Sequence, residues 1–170
     1  MCKVFKNDGF MKMDEKDFQL LDELQRNCRQ SLKKLARKLD MSITTVYDRM
    51  KKLEREGVIK GCKAIINPDK IDNSFLVFML VHLEPHVIAE KGLTYRDIAK
   101  RISMLPNVLE VYAVSGEWDM VLKVRARDHH QLSSLVVDSL MKIDGIRRTH
   151  SIDVWETFKD TTELPIRKKI

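Results

Sequence analysis

Between Asp14 and Gly57 the apolar residues return every three or four positions, first as Phe18, Leu21 and Leu24, then as Leu32, Leu35, Ala36 and Leu39, then as Ile43, Val46, Met50 and Leu53. That spacing keeps one side of a helix apolar and predicts three short amphipathic helices. Each has a start signal. Asp14 with Asp17 three residues later resembles a capping box, Ser31 caps the second helix and Ser42 the third. Only Asp40 and Met41 separate the second helix from the third, so the two must cross steeply, as in a helix-turn-helix. Gly57 closes the third helix.

After Gly57 the pattern becomes that of strands. Val58 to Ile66 reads as an extended connector ended by the turn Asn67-Pro68-Asp69. Phe75 to Val81 is almost continuously apolar, the mark of a strand covered on both faces. Helices can cover one face, and in so small a domain a second copy of the chain is expected on the other. Thr94 to Leu105 is expected to be helical with Ile98 and Ile102 inward. Val108 to Val114 and Trp118 to Val124 form a hairpin around Ser115-Gly116-Glu117. Leu132, Leu135, Val136, Leu140 and Ile143 mark another helix, and Ile146 to Phe158 a final strand. The expected fold class is α+β: an N-terminal winged-type helix-turn-helix domain followed by a ferredoxin-like βαββαβ domain. The expected organisation is residues 1–62 for the first domain with an N-terminal extension, 63–74 for a connector, 75–160 for the second domain and 161–170 for a C-terminal tail.

Composition narrows the class. A chain of 170 residues, 44% apolar, can bury an ordinary core and is neither fibrous nor disordered in character. Its apolar runs fall short of the ~20 residues of a membrane span, and the start MCKVFKNDGFMKMDEK lacks a signal-peptide apolar core, so a cytoplasmic protein is expected. The three cysteines, Cys2, Cys28 and Cys62, are odd in number and far apart; all are read as reduced, with Cys28 packed, and no metal site is expected.

Charge is divided unevenly. Residues 1–62 carry fifteen Lys/Arg against ten Asp/Glu, whereas residues 63–170 carry sixteen against fifteen. A basic excess confined to one domain suits a polyanion partner, whose condensed counterions are released on neutralisation. On a helical wheel, Ile43, Val46, Met50 and Leu53 of the third helix face inward, while Thr44, Thr45, Asp48, Lys51, Lys52 and Arg55 face out with Arg49 on the flank. Short hydroxyls near a helix start and long cations one or two turns later suit a major groove. The expected double-stranded DNA contacts are Ser42, Thr44, Thr45, Asp48, Arg49, Lys51, Lys52 and Arg55.

The run Asp14-Glu-Lys-Asp17, the stretch Asn27-Cys-Arg29, Ser42-Ile-Thr-Thr-Val-Tyr-Asp-Arg49, Leu53-Glu-Arg-Glu-Gly57-Val-Ile and the hairpin Gly116-Glu-Trp-Asp119 together resemble the Lrp/AsnC (feast/famine) family of transcription regulators across residues 14–160. The segment Thr161-Thr-Glu-Leu-Pro-Ile166 resembles archaeal members in particular. The resemblance implies homodimers built through the α+β domains, assembly to tetramers, octamers or larger, and modulation by an amino acid bound between subunits.

For that effector the residues offer a candidate set: Gly116, Glu117, Trp118, Asp119, Thr149 and Ser151. Gly116 permits close backbone approach to an α-carboxylate, Asp119 offers a counter-charge for an α-ammonium, Glu117 would favour a basic ligand, and Thr149 and Ser151 share one strand face. No P-loop, GxSxG or HExxH is present, and His82, His86, His129, His130 and His150 are scattered, so no catalytic set and no cofactor are expected. Two alternatives share the plan: an enzyme similar to the sirohaem decarboxylases, and an architectural DNA-binding protein without an effector.

Overall fold

A computed structural model describes residues 12–166; the N-terminal extension with Cys2, and residues 167–170, lie outside the described part. The described chain divides into two compact units, residues 12–65 together with 160–166, and residues 66–159.

The first unit is three helices, α1 (Glu15–Arg26), α2 (Leu32–Leu39) and α3 (Ile43–Arg55). Each expected cap is formed. Asp14 accepts from the Asp17 amide while the Asp17 carboxylate accepts from the Asp14 amide, and Ser31 and Ser42 accept from Lys34 and Thr45. These bonds satisfy amides that a helix start leaves without intrahelical partners. Asp40 takes the left-handed conformation, φ +50, and so turns the chain sharply from α2 into α3. Leu20, Leu35, Val46 and Leu53 are fully buried, contributing about 1.5–3 kcal/mol each by leaving water. Ile43 departs from expectation: it is 49% exposed, and the buried stripe of α3 begins one turn later at Val46.

Two further findings concern the base of this unit. Cys28 and Cys62, read from sequence as reduced, form a disulfide, with Cα atoms 6.1 Å apart despite a separation of 34 residues. The three-helix arrangement brings the α1–α2 turn beside the chain leaving α3, a proximity that spacing alone does not disclose. Closing a loop of this length restricts the unfolded chain by about 4 kcal/mol in the entropic account. Residues 161–166, expected to be part of a separate tail, and Asp160, expected to close the second domain, belong to this unit: Gln25 Nε2 donates to the Leu164 carbonyl and Gln25 Oε1 accepts from the Leu164 amide, both at 3.0 Å.

The second unit is a four-stranded antiparallel sheet of β1 (Phe75–Leu83), β2 (Val108–Ala113), β3 (Met120–Ala126) and β4 (Ile146–Asp153), ordered β2-β3-β1-β4. Val77, Met79 and Val81 of β1 stand opposite Val124, Leu122 and Met120 of β3, all buried. Over this face lie α5 (Tyr95–Ser103), through Ile98 and Ile102, and a helical stretch that begins as α6 (His129–Ser134) and runs on to Lys142, through Leu132, Leu135 and Leu140. A short helix not foreseen from the sequence, α4 (Pro85–Glu90), follows β1. It is pinned where the Glu84 amide donates to the Gly145 carbonyl at 2.8 Å. Gly145 has φ +93, and a Cβ there would lie 2.7 Å from Ile98 and 2.8 Å from Ile88. Strand β4 stops at Asp153 rather than Phe158, leaving Trp155 and Phe158 almost wholly exposed.

Apart from Leu76, which is buried, the opposite face of the sheet is partly or wholly exposed. It carries Phe78 and Leu80 from β1, Tyr112 from β2, Val121 from β3 and Ile152 from β4, with Phe78, Tyr112 and Ile152 exposed.

Candidate functional site

The outer face of α3 presents Thr44, Thr45, Asp48, Lys51 and Arg55 to solvent, with Lys52 half-buried. At its start the Ser42 and Thr45 hydroxyls bond each other at 2.8 Å, fixing two of the expected groups in one cluster. Tyr47, which the sequence reading left out, lies exposed on the same helix with the Lys51 ammonium 5.9 Å from its ring centre.

Arg49 is placed differently from expectation. Its Nη1 donates to both oxygens of Asp14 at 2.8 Å and to Asp17 Oδ1 at 2.6 Å, reaching back from α3 to the start of α1. The Asp17 side chain is only 2% exposed, so its charge needs this partner. The guanidinium holds the Asp14 carboxyl below its ordinary range, and Asp14 in turn raises Arg49. A wheel drawn for α3 alone puts Arg49 on a flank; the neighbouring carboxylates of α1 decide where it goes.

Two further α3 cations are also engaged, Lys51 with Glu54 at 2.9 Å and Arg55 with Glu56 at 3.3 Å, while the half-buried Lys52 has no ion partner among the described residues. These are exposed pairs worth little, which phosphate can replace. By contrast Lys33, Lys34 and Arg37 on α2 are exposed with no ion partner among the described residues, while Lys38 is paired with Glu23. The basic excess of the head is thus least neutralised on α2. The signal lies in the sequence, where four of the eight residues Leu32–Leu39 are cationic, but a wheel of α3 alone does not show it.

The six expected effector residues do not converge. Trp118 lies 6.0 Å from the His150 ring at 25°, with the Arg148 guanidinium 4.6 Å from its ring centre, and Arg148 donates to Glu117 at 3.1 Å. Thr149 and Ser151 stand opposite Val81 and Met79, on the helix-covered side of the sheet. Strand alternation separates 149 and 151 from 148 and 150, so hydroxyls and aromatic ring belong to different faces. Asp119 is also partly committed: its Oδ2 accepts from the Leu83 amide at 2.8 Å and faces His82 Nδ1 at 3.1 Å, locking the hairpin base to β1. Gly116 keeps its expected openness, with φ +128 and nothing within 4 Å of where a Cβ would stand.

Residues 13–60 match the model of the winged helix-turn-helix DNA-binding family, and residues 76–164 match that of the Lrp/AsnC ligand binding domain. The chain belongs to the Lrp/AsnC family. Among its Lrp/AsnC relatives is HTH-type transcriptional regulator FL11 of Pyrococcus horikoshii, 33% identical over 155 residues that cover 91% of this chain and 97% of the relative. The leucine-responsive regulatory protein of Haemophilus influenzae is 32% identical over 155 residues, covering 91% of each. Among solved structures, an AsnC family transcriptional regulator from Agrobacterium tumefaciens superposes with a TM-score of 0.82 at 31% identity, over 90% of this chain and 97% of that one. A transcriptional regulator from Neisseria meningitidis, in complex with L-Met, superposes with a TM-score of 0.83 at 27% identity, over 91% and 97%. This Lrp/AsnC chain is therefore a DNA-binding transcriptional regulator, and no described helix is long and apolar enough to cross a membrane.

Proposed function

We propose that this cytoplasmic regulator reads a specific duplex sequence with α3, holds the flanking phosphates with α2, and changes its DNA occupancy when an amino acid binds between α+β units of two copies. The observation that carries the first part is the division of labour on the head. Thr44, Thr45, Tyr47 and Lys52 stand outward on α3, and the unpaired cations Lys33, Lys34 and Arg37 stand on α2. Hydroxyls and an aromatic ring suit base edges; unpaired cations suit phosphates.

The uncovered sheet face supports the homodimer. Phe78, Tyr112 and Ile152 form an apolar surface on a wide sheet, and exposed apolar patches of this kind mark association sites. Within the same unit Trp155, 99% exposed, adds a further large apolar side chain open to solvent. Tetramers, octamers or larger assemblies would follow by the family pattern.

For the effector, the L-Met held by the Neisseria meningitidis regulator supports an amino-acid ligand. The open tip at Gly116 is where we place its carboxylate, with a second copy closing the site, since Thr149 and Ser151 of the same chain lie on the wrong face. The test pairs genomic footprinting with calorimetric titration of the twenty amino acids. Protection of defined sites that shifts with one amino acid supports the full reading; defined sites with no calorimetric response to any amino acid leave an effector-independent regulator.

A further inference from the structure

The disulfide occupies a position that nothing in DNA reading or effector binding requires. Cys28 lies in the turn between α1 and α2, and Cys62 in the segment that follows α3, so the bond closes a loop containing the whole of α2 and α3. Cys28 is half-buried and Cys62 exposed, so an attacking thiolate can reach the bond from solvent. Both cysteines line an apolar recess walled on one side by Phe18, Leu21, Met50 and Ile59 and bounded also by Leu164 and Ile166. Gln25, one helical turn before Cys28, holds Leu164 by its two backbone bonds. The bond therefore ties the turn entering α2, the chain leaving α3, and the seat of the tail.

The flanks repeat. Cys28 stands in Arg26-Asn-Cys-Arg29 and Cys62 in Lys60-Gly-Cys-Lys63, each with a cation two positions before and one after. Arg26 is bound to Asp22 at 2.8 Å, while Arg29, Lys60 and Lys63 have no ion partner among the described residues. Positive charge beside a thiol favours the thiolate, the species that attacks disulfides. A DNA-binding protein meets the thiol pool of the compartment that holds DNA, and an exposed disulfide there is open to exchange with small thiols.

We propose that Cys28 and Cys62 form a reversible dithiol–disulfide site through which low-molecular-weight disulfides and thiols set the seating of residues 162–166 and the DNA affinity of the head. It rests on the reading of α2 and α3 as the DNA-binding surface. In the oxidising direction the Cys62 thiolate attacks glutathione disulfide, forming a mixed disulfide and releasing one glutathione thiolate. Cys28 then attacks the Cys62 sulfur and releases the second. The two protein thiols lose two electrons and two protons, and one glutathione disulfide becomes two glutathione thiols. Reduction is the reverse.

The test uses the full chain with Cys2→Ser, equilibrated in glutathione buffers from fully reduced to fully oxidised. Maleimide mass-tagging counts free thiols, fluorescence anisotropy at fixed salt reads affinity for a duplex found by footprinting, and hydrogen exchange reads the Leu164 amide. Two thiols should disappear together as the buffer is oxidised. The reduced protein should bind DNA at least threefold more weakly and exchange the Leu164 amide at least tenfold faster. The Cys28→Ser/Cys62→Ser variant should match the reduced protein in every buffer; if that variant does not fold, the reduced parent supplies the same comparison. Equal affinity and equal exchange at both extremes would overturn the proposal, as would two thiols that stay free throughout. If neither state binds any duplex, the reading of α2 and α3 fails instead, and tagging with Leu164 exchange still decides whether the site is reversible and moves the tail.

Discussion

Replacing Arg49 with alanine is expected to damage the fold of the head rather than its charge toward DNA. The substitution strips Asp17, 2% exposed, of its cationic partner and leaves it one amide donor, from Asp14 at 3.1 Å. Removing one member of a buried pair costs roughly 3–5 kcal/mol. Arg49 keeps 26% exposure and Asp14 56%, so water screens part of the loss, and about 2–3 kcal/mol is the expected cost. At about 1.4 kcal/mol per tenfold, amide protection along α1 should drop on the order of 30- to 150-fold, read by hydrogen exchange of a peptide spanning Glu15–Arg26. Adding Asp17→Asn should recover part of this loss, because no unpaired charge then stays buried. The pH dependence follows in sign. Arg49 holds the folded Asp14 carboxyl below its ordinary 3.8, so the stabilisation is complete above that pH and is lost as pH falls through the lower folded value. Arg49→Ala should flatten that acid limb. Protection within threefold of the parent, together with a salt slope for DNA binding smaller by about 0.9, would refute the clamp and return Arg49 to a phosphate.

Other expectations are simpler. Lys33→Ala/Lys34→Ala/Arg37→Ala should lower the slope of log affinity against log salt by roughly 2.7, and Lys51→Ala/Arg55→Ala by up to about 1.8; an unchanged slope in either, by anisotropy titration across salt, removes that helix from the interface. Gly145→Ala should destabilise the second unit by about 2–4 kcal/mol, combining strain at φ +93 with displacement of Ile98 and Ile88, and a thermal midpoint equal to the parent's would contradict the contact. Phe78→Lys should convert the protein to monomer in light scattering, since it sets a second cation beside Lys123, its register partner on β3, and two like charges there resist burial against another copy; a dimer that survives would move the interface elsewhere.

The three helices and their caps were legible because capping residues and periodicity act within a few positions of one another. The central strand was legible because its burial writes an unbroken apolar run. What escaped depends on contacts distant in sequence. Arg49 goes to carboxylates on another helix, Cys28 finds Cys62 only after three helices have packed, and Thr149 is separated from Trp118 by strand alternation across a register that the sequence does not state. Helix α4 is too short to show a period, and Pro85 reads as a turn until the Gly145 carbonyl is found holding the preceding amide. The α2 cations were visible throughout, and their significance lies in lacking the acidic neighbours that α3 has.

The two bonds between Gln25 and Leu164 bear on the order in which the molecule can be completed. During synthesis the helices of the head leave the ribosome first, yet the segment that walls their recess is separated from Gln25 by 139 positions and follows the whole sheet. A nascent head can reach its three-helix arrangement early, because its core lies within residues 13–59. The recess lacks one of its walls until β4 has been made. The DNA-reading unit is thus completed only after the sheet, and a chain that stopped short of Leu164 would carry helices of the right shape without that wall.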